Sequence, residues 1–341
     1  MLGISIGTVD RALHGRSGIS PTTLDHVLKK ANELGYRPNI AARSLRLNRR
    51  LRIGVYLPRQ IASFFDPLRV GVRAAASAAI GANVDLVFRS FPRLSEGDVE
   101  LLAADAGENF DGILVAPGNA TRIEPVLRKI LRKQVAVVCV ASDAPQSGRL
   151  ASVTVDAHAS GAIAAELFSR TTFGSGNLAI ITGDLKTHDH AEKLRGFSTN
   201  LALLAPRLNL LPALESHEQP REAYRQAKKL LSCKPYPLGI YISTANSRPV
   251  LRALDELNLC GEVQVIATDI FAELVPYIES GKILATLYQR PFRQGRTACE
   301  ILLRYLVDGV TPEQTMRLAP HIVLRSNLAL FSSYSETPAT S

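Results

Sequence analysis

From residue 52 to residue 290, short apolar segments alternate with longer amphipathic segments. The apolar segments are continuous, as in R-I-G-V-Y-L, and do not alternate with polar residues. Such runs are typical of strands buried on both faces of a parallel sheet, and the segments between them have helical spacing. The repeated strand–helix order predicts an α/β fold with doubly wound parallel sheets. The predicted strands are 52–57, 84–88, 112–117, 135–140, 152–155, 178–183, 238–243, 263–268 and 284–288. The predicted helices are 68–80, 122–133, 159–170, 191–204, 222–231 and 248–257.

These strands are too many for one small sheet, so the sequence predicts two lobes. The first covers about 52–156 and the second about 157–290. A helix at 291–308 and the segment beyond it would cross back and join the lobes. Part of 291–330 would then belong to the first lobe, and 331–341 would be a tail.

Other patterns argue against catalysis, export and a membrane. The chain has no GxSxG, HExxH or P-loop motif, so an α/β enzyme acting on a sugar is disfavoured and no cofactor is expected. The four cysteines are scattered without metal spacing, and His188 and His190 beside Asp189 are too weak a pattern for a metal site. There is no signal-peptide core and no apolar run of about 18 residues. We therefore expect a cytoplasmic protein without a metal or a membrane partner.

Positive charge is concentrated at the N-terminus. Residues 1–52 hold ten of the 40 Lys and Arg but three of the 31 Asp and Glu, so they carry +7 of the net +9. A first helix is predicted from Ser5, whose hydroxyl can cap it, and a second from Pro21, with Ser20 as its cap. The basic segment 39–50 is too short to be a stable helix alone. Two helices with basic surfaces followed by such a segment favour a helix-turn-helix unit that binds nucleic acid.

The order of these parts resembles a known family. The pattern IS..TVDRALHGR.GIS..T...V...A.ELGYRPN..ARSLR.N, from Gly3 to Asn48, is similar to the headpiece and hinge of the lactose-repressor (LacI/GalR) family. The resemblance implies a helix-turn-helix headpiece at 1–37, a hinge at 38–51, a double-stranded DNA operator and a homodimer. It places phosphate contacts at Ser5 and Thr8. The other DNA-binding residues that it implies are Ile6 and Arg11 on the recognition helix and Asn39, Ala42, Arg43 and Leu45 near or in the hinge.

The residues that the resemblance implies differ in the contacts that their side chains can make with bases. Arg11 can contact guanine through two hydrogen bonds, whereas Gly7 has no side chain and Ile6 can at most contact a thymine methyl. Leu45 matches an apolar side chain that inserts into a minor-groove base step. Direct readout therefore depends on Arg11 or on the hinge.

One departure affects DNA binding. Family members have a further helix before the recognition helix, and no such segment precedes Gly3 in this sequence. We expect that the true start lies upstream and that the all-α headpiece is truncated here. The alternative is a cytosolic solute-binding protein that lacks effective DNA binding.

Polar residues follow several predicted strands, where parallel sheets bind ligands. The rest of the chain resembles the periplasmic sugar-binding fold of ribose type, which implies a small sugar-like or polyol effector and a role as a ligand-responsive regulator, usually a repressor. Family members have a sugar-binding arginine shortly before Gly196-Phe197, and Ala191 occupies that position here. Ser247 stands where many members have Asp. The effector should therefore differ from a plain pentose or hexose. The expected ligand-binding residues are Phe64, Phe65, Asp143, Asn246, Asp269 and Gln289, with Asp189 and His190 replacing the arginine.

Overall fold

The computed structural model describes residues 4–13, 18–33, 50–79 and 82–334, which form two N-terminal helices and two α/β lobes. The predicted pair of doubly wound parallel lobes is confirmed. The helices are α1 Ile6–Leu13, α2 Pro21–Glu33, α3 Ala62–Ala78, α4 Asp98–Ala104, α5 Ala120–Leu131, α6 Ala157–Thr171, α7 His188–Leu204, α8 Pro220–Leu230, α9 Arg248–Glu256, α10 Val275–Glu279 and α11 Pro291–Asp308. The strands are β1 Leu51–Pro58, β2 Val84–Phe91, β3 Gly112–Val115, β4 Ala136–Val140, β5 Ala151–Val155, β6 Gly176–Thr182, β7 Leu208–Leu210, β8 Leu214–Glu215, β9 Gly239–Ile242, β10 Gln264–Thr268, β11 Ala285–Tyr288, β12 Thr315–Leu318 and β13 His321–Val323.

Both N-terminal helices begin with the predicted serine caps. Ser5 Oγ accepts a hydrogen bond from the Thr8 backbone N–H at 3.1 Å, and Ser20 Oγ accepts one from Thr23 at 3.2 Å. Each bond satisfies a backbone N–H that has no partner within the helix. The predicted DNA contacts Asn39, Ala42, Arg43 and Leu45 lie outside the described residues, as do the side chains of Ile6 and Arg11.

The first lobe has a six-stranded parallel sheet with the order β12-β5-β4-β3-β1-β2. Its central strands β3 and β4 are buried at every position, and β1 is buried from its third residue on, which explains their continuous apolar sequence. Helices α3 and α11 cross closely on one face, and Leu68, Val72 and Leu302 belong to the apolar cluster there. The crossing depends on glycine, because a Cβ at Gly71 would overlap the Phe292 backbone.

The second lobe has a sheet with the order β13-β11-β10-β9-β6-β7, and β8 also pairs with β6. Only the pairing of β13 with β11 is antiparallel among its described strands. Helices α6 and α7 pack against each other on one side of this sheet, and a Cβ at Gly161 of α6 would overlap the Lys193 carbonyl of α7. This contact fixes the position of α7, whose first turn lies at the cleft between the lobes.

The chain crosses between the lobes near residues 156, 290 and 320. The predicted strands did not include β7, β8, β12 and β13, which are short. The predicted tail is wrong at its start, because Phe331 lies in a helical segment, Arg325–Tyr334, and its ring packs edge-on against Tyr288. Within the described residues, no helix is both long and apolar enough to span a membrane.

Candidate functional site

A small cavity lies between the two lobes; together with its opening to solvent it encloses about 410 Å³ of empty space. It forms where the carboxyl ends of the parallel strands meet, which is where such sheets bind ligands. The first lobe contributes Ile61, Phe64, Phe65, Leu94, Ala141 and Ser142. The second lobe contributes Thr187, Asp189, His190, Lys193, Glu218, Thr244, Ala245 and Gln289.

The apolar wall comes from the first turn of α3. Phe64 and Phe65 are buried, and their rings meet edge to face with centroids 4.9 Å apart. Ile61, just before this helix, adopts a left-handed backbone conformation with φ of 57°, which turns the chain from β1 into α3. The cavity therefore has a rigid aromatic wall on the side of the first lobe.

The polar wall is centred on a buried lysine. Lys193 is only 1% exposed, and its Nζ donates to Asp189 Oδ2 at 2.7 Å, to Gln289 Oε1 at 2.9 Å and to the Ser243 carbonyl at 3.2 Å. Asp189 and Lys193 are four residues apart on α7, so both lie on one face of the helix. All three N–H groups of the ammonium are thus used within the protein.

A second buried pair joins His190 to Glu218. His190 Nε2 lies 2.8 Å from Glu218 Oε1, and Thr244 Oγ1 donates to the same carboxylate at 2.8–3.0 Å. Burial raises the pKa of Glu218, but the His190 hydrogen bond and charge and the Thr244 hydrogen bond outweigh it, and the pKa lies below its usual value. Glu218 is therefore ionised, and the His190 nitrogen that faces it carries a proton.

Asp269 supports this wall from behind. It accepts hydrogen bonds from the Gln289 backbone N–H at 2.8 Å and from Gln289 Nε2 at 2.6 Å. Burial raises its pKa to about 6, and the negative charge of Asp189 adds to the shift. Asp269 does not line the cavity, so it acts on the site by fixing Gln289.

Four buried polar atoms at the cavity have no hydrogen-bond partner in the described part of the chain. They are Ser142 Oγ, Thr187 Oγ1, Asp189 Oδ1 and His190 Nδ1. Leaving a buried polar group unpaired costs about 1–3 kcal/mol each, so such atoms mark places where a ligand or water binds. These four unpaired atoms can thus form hydrogen bonds with the hydroxyl groups of a ligand.

The lobes are also joined directly beside the cavity. Gln60 Nε2 donates a short hydrogen bond to the Glu218 carbonyl, and Asn119 forms a backbone bridge with Thr187. Gln60 and Asn119 belong to the first lobe, whereas both partners belong to the second and line the cavity. The two lobes are therefore closed on each other in this structure.

The predicted ligand-binding residues do not all meet. Phe64, Phe65, Asp189, His190 and Gln289 line the cavity. Asp143 instead forms a buried bidentate ion pair with Arg149 and faces a neighbouring polar cleft. Asn246 lines a separate groove at the edge of the lobes.

The cavity also contains residues that the sequence analysis did not assign. Lys193, Glu218, Thr244, Ser142 and Thr187 are among them. The sequence analysis assigned Asp189 and His190 in place of the arginine, and the structure adds a cation at the cavity, Lys193, two residues after Ala191. The spacing of Asp189 and Lys193 on one helix is the signal that could have revealed it.

One further group of possible metal ligands lies outside the cavity. Atoms of Asp184, Glu215 and His217 lie within 4.8 Å of one another, and all three residues are at least partly exposed. Exposed groups of this kind are common without a metal, and we assign it no function.

Comparisons with known proteins agree with the two-lobed fold. Residues 53–309 match the family model described as a periplasmic binding protein domain. Catabolite control protein A of Priestia megaterium is 24% identical over 328 residues, or 95% of this chain and 96% of that protein. The HTH-type transcriptional repressor PurR of Vibrio parahaemolyticus serotype O3:K6 (strain RIMD 2210633) is 24% identical over 334 residues, or 96% of each. An ABC transporter solute binding protein of Burkholderia graminis C4D1M, solved in complex with D-arabinose, has a TM-score of 0.75 at 22% identity and covers 84% of this chain and 98% of its own. The resemblance to the lactose-repressor family is confirmed, and the chain belongs to the periplasmic binding protein domain family.

Proposed function

We propose that this protein is a cytoplasmic, non-enzymatic transcription regulator whose DNA affinity responds to a small carbohydrate or polyol. The observation that carries the effector assignment is the set of four unpartnered polar atoms facing a wall of two phenylalanines. Aromatic rings pack on the apolar faces of sugars, and the polar atoms pair with their hydroxyls. The D-arabinose bound to a structural neighbour agrees with this class of ligand.

The proposed ligand contacts combine the two lobes. Phe64, Phe65 and Ser142 contact the effector from the first lobe, and Asp189 and His190 contact it from the second. Gln289 takes part through its hydrogen bond to Lys193. Asp143, Asn246 and Asp269 position the surrounding structure and do not contact a ligand in this closed form.

The proposed DNA-binding part is the basic segment 1–52. Its charge of +7 suits the phosphate backbone, and both regulators among the relatives match nearly the full length of this chain. We propose that two chains form a homodimer that binds a double-stranded operator, with Arg11 contacting base edges and Ser5 and Thr8 contacting phosphates. Repression is the proposed outcome, as in the repressor among the relatives.

The DNA part is tested with the full chain and a pool of random double-stranded DNA. After selection, binding is measured by fluorescence polarisation at rising KCl concentrations. We expect affinity to fall steeply with salt and to fall at least tenfold in Arg11→Ala, but not in the exposed control Lys129→Ala. If the enriched DNA binds with an affinity that does not depend on the KCl concentration, the regulator assignment fails and the solute-binding alternative remains.

The effector part is tested by thermal shift with a panel of polyols and deoxy sugars, including myo-inositol and D-fucose, and with D-arabinose, D-ribose and D-glucose as plain sugars for comparison. We expect at least one of these compounds to raise the melting temperature of the wild type. The shift should be lost in Phe65→Ala and kept in Phe173→Ala, because Phe173 is 87% exposed. A ligand that stabilises both variants equally would place its site elsewhere.

A further inference from the structure

A second space adjoins the cavity between the lobes. The polar cleft that Asp143 faces lies beside the crossing near residue 156. Together with its opening to solvent it encloses about 1120 Å³ of empty space, compared with about 410 Å³ for the cavity. Ser142 and Asp189 line both spaces, so the cleft and the cavity meet at these two residues. One ligand can therefore extend from the cavity into the cleft.

The two shared residues have hydrogen-bonding atoms that are not used within the described part of the chain. Ser142 is 1% exposed and Asp189 is 7% exposed, and Ser142 Oγ and Asp189 Oδ1 are both unpartnered. The other two unpartnered atoms, Thr187 Oγ1 and His190 Nδ1, belong to residues that line the cavity but not the cleft. Because unpaired buried atoms mark ligand contacts, this distribution favours a ligand that lies in the cavity and passes between Ser142 and Asp189.

The charged side chains of the cleft are mostly neutralised within the protein. The ion pairs are Arg149 with Asp143, Arg195 with Glu192, and Lys193 of the cavity with Asp189. Of the other lining residues, histidines apart, only Asp156 and Arg317 are charged, and they have opposite signs. The cleft thus has no excess of either charge among these residues. A neutral ligand group suits it better than a charged one, which would lose its hydration without an unmatched counter-charge.

The lining of the cleft is rich in hydrogen-bonding groups and contains no Phe or Tyr among the described residues. Thr154 and Arg317 are register partners on β5 and β12, so their side chains lie on the same face of the sheet. His158 and His188 line the cleft from the first turns of α6 and α7. An imidazole has at least one N–H donor in either protonation state. A unit with many hydroxyls therefore fits the cleft, whereas an aromatic group finds no ring to pack against.

We infer that the effector is a neutral saccharide of two units, one bound in the cavity and the other in the polar cleft. The inference rests on the proposed function, because it specifies the ligand of the same site. The first unit packs on Phe64, and the glycosidic linkage passes between Ser142 and Asp189. Hydroxyls of the second unit pair with Thr154 and His158. Such a ligand also differs from a plain pentose or hexose, as the sequence predicts.

The experiment compares matched ligands on the full chain by isothermal titration calorimetry. The disaccharides are maltose, isomaltose, cellobiose, gentiobiose, lactose and melibiose, which include α and β linkages. Each is compared with its constituents, D-glucose or D-galactose, and with the 4-nitrophenyl glycoside of the same sugar and linkage configuration. The nitrophenyl group places an aromatic ring where the second sugar unit would lie. We expect at least one disaccharide to bind with a Kd at least tenfold lower than its constituents and its nitrophenyl counterpart.

Two variants of the cleft give a second readout. His158→Ala and Arg317→Ala change residues that line the cleft but not the cavity. We expect each to raise the Kd of the disaccharide at least fivefold through the loss of a hydrogen bond, and to change the Kd of its constituent sugar by less than about twofold. Arg293→Ala is the control, because this arginine is exposed and lines neither space, and it should leave both values unchanged.

A constituent sugar or a nitrophenyl glycoside that binds as tightly as every disaccharide would overturn the inference and leave the proposed function standing. The same holds if myo-inositol or D-fucose raises the melting temperature and no disaccharide binds, or if the cleft variants weaken a disaccharide and its constituent equally. A disaccharide that binds Phe65→Ala as tightly as the wild type would occupy another site, and that result would reject the inference together with the proposed effector site.

Discussion

The buried Lys193 permits a direct test of the polar wall. Lys193→Met keeps the apolar stem but removes the charge and three hydrogen bonds, to Asp189, Gln289 and the Ser243 carbonyl. The residue is 1% exposed, so water cannot replace these bonds without opening the structure. Asp189 would be left as a buried, unpaired charge.

Removing one partner of a buried ion pair costs about 3–5 kcal/mol, mainly because the other charge remains buried. We therefore expect Lys193→Met to lower the free energy of unfolding by about that amount. Lys193→Met with Asp189→Asn removes both charges, and we expect it to recover about half of the loss. The remainder is the loss of the bonds to Gln289 and Ser243, at about 1 kcal/mol each.

The assay is urea unfolding of the full chain followed by far-UV circular dichroism, because the sequence has no tryptophan to report by fluorescence. With a slope of about 3 kcal/mol per molar, the single variant should shift the midpoint down by roughly 1–1.7 M. Lys186→Met is the control, because this lysine is exposed in the same segment and should change stability by less than about 0.5 kcal/mol. The reasoning is refuted if Lys193→Met costs less than about 1 kcal/mol, or if the double variant is no more stable than the single one.

Three further changes test other contacts. Gly161→Ala should cost about 1–3 kcal/mol, measured by the same unfolding assay, because its Cβ would overlap the Lys193 carbonyl, whereas Gly107→Ala, with open space around it, should cost far less. Gly183→Ala should weaken effector binding at least tenfold in calorimetry, because its Cβ would overlap a carboxylate oxygen at the cavity; unchanged binding would contradict this. Asp269→Asn tests the raised pKa of about 6 for Asp269. From pH 4 to pH 6 this carboxyl ionises in the unfolded wild type before it ionises in the folded one, so the free energy of unfolding of the wild type should fall by up to roughly 3 kcal/mol relative to that of the variant. A difference in unfolding free energy that stays constant over this pH range would contradict the assignment.

The central strands could be predicted from sequence because burial on both faces leaves a continuous apolar signal. β3 and β4 are buried at every position. The strands that were missed carry a weaker signal: β12 alternates between exposed and half-buried residues, and β8 has only two residues. Their pairing is determined by neighbouring strands that are distant in sequence, as for β12 with β5.

The site could be predicted only in part, for a related reason. Residues that directly follow long strands or begin a helix after them, such as Phe64 and Asp189, were found from their position in the chain. Glu218 follows β8, which has only two residues and therefore leaves no strand pattern in the sequence that would indicate a site. Lys193 lies inside a helix, where a lysine is ordinarily expected at the surface, and only the three acceptors around it explain its burial. Asp143 follows a strand as expected, but its carboxylate forms an ion pair with Arg149.

The contacts between the lobes indicate how an effector could act on the rest of the protein. Thr187 and Glu218 each join the first lobe through the backbone and line the cavity with their side chains. These two contacts involve few hydrogen bonds, at about 1 kcal/mol each, so they hold the unliganded lobes together only weakly. An effector that contacts Phe64 and Asp189 at once binds the closed form and not the open one. At a concentration of about 100 times its Kd it would stabilise closure by roughly 2.7 kcal/mol, which exceeds the contribution of either contact. We therefore expect the effector, and not the direct contacts, to decide the relative orientation of the lobes, and with it the arrangement of the N-terminal segment that we propose binds DNA.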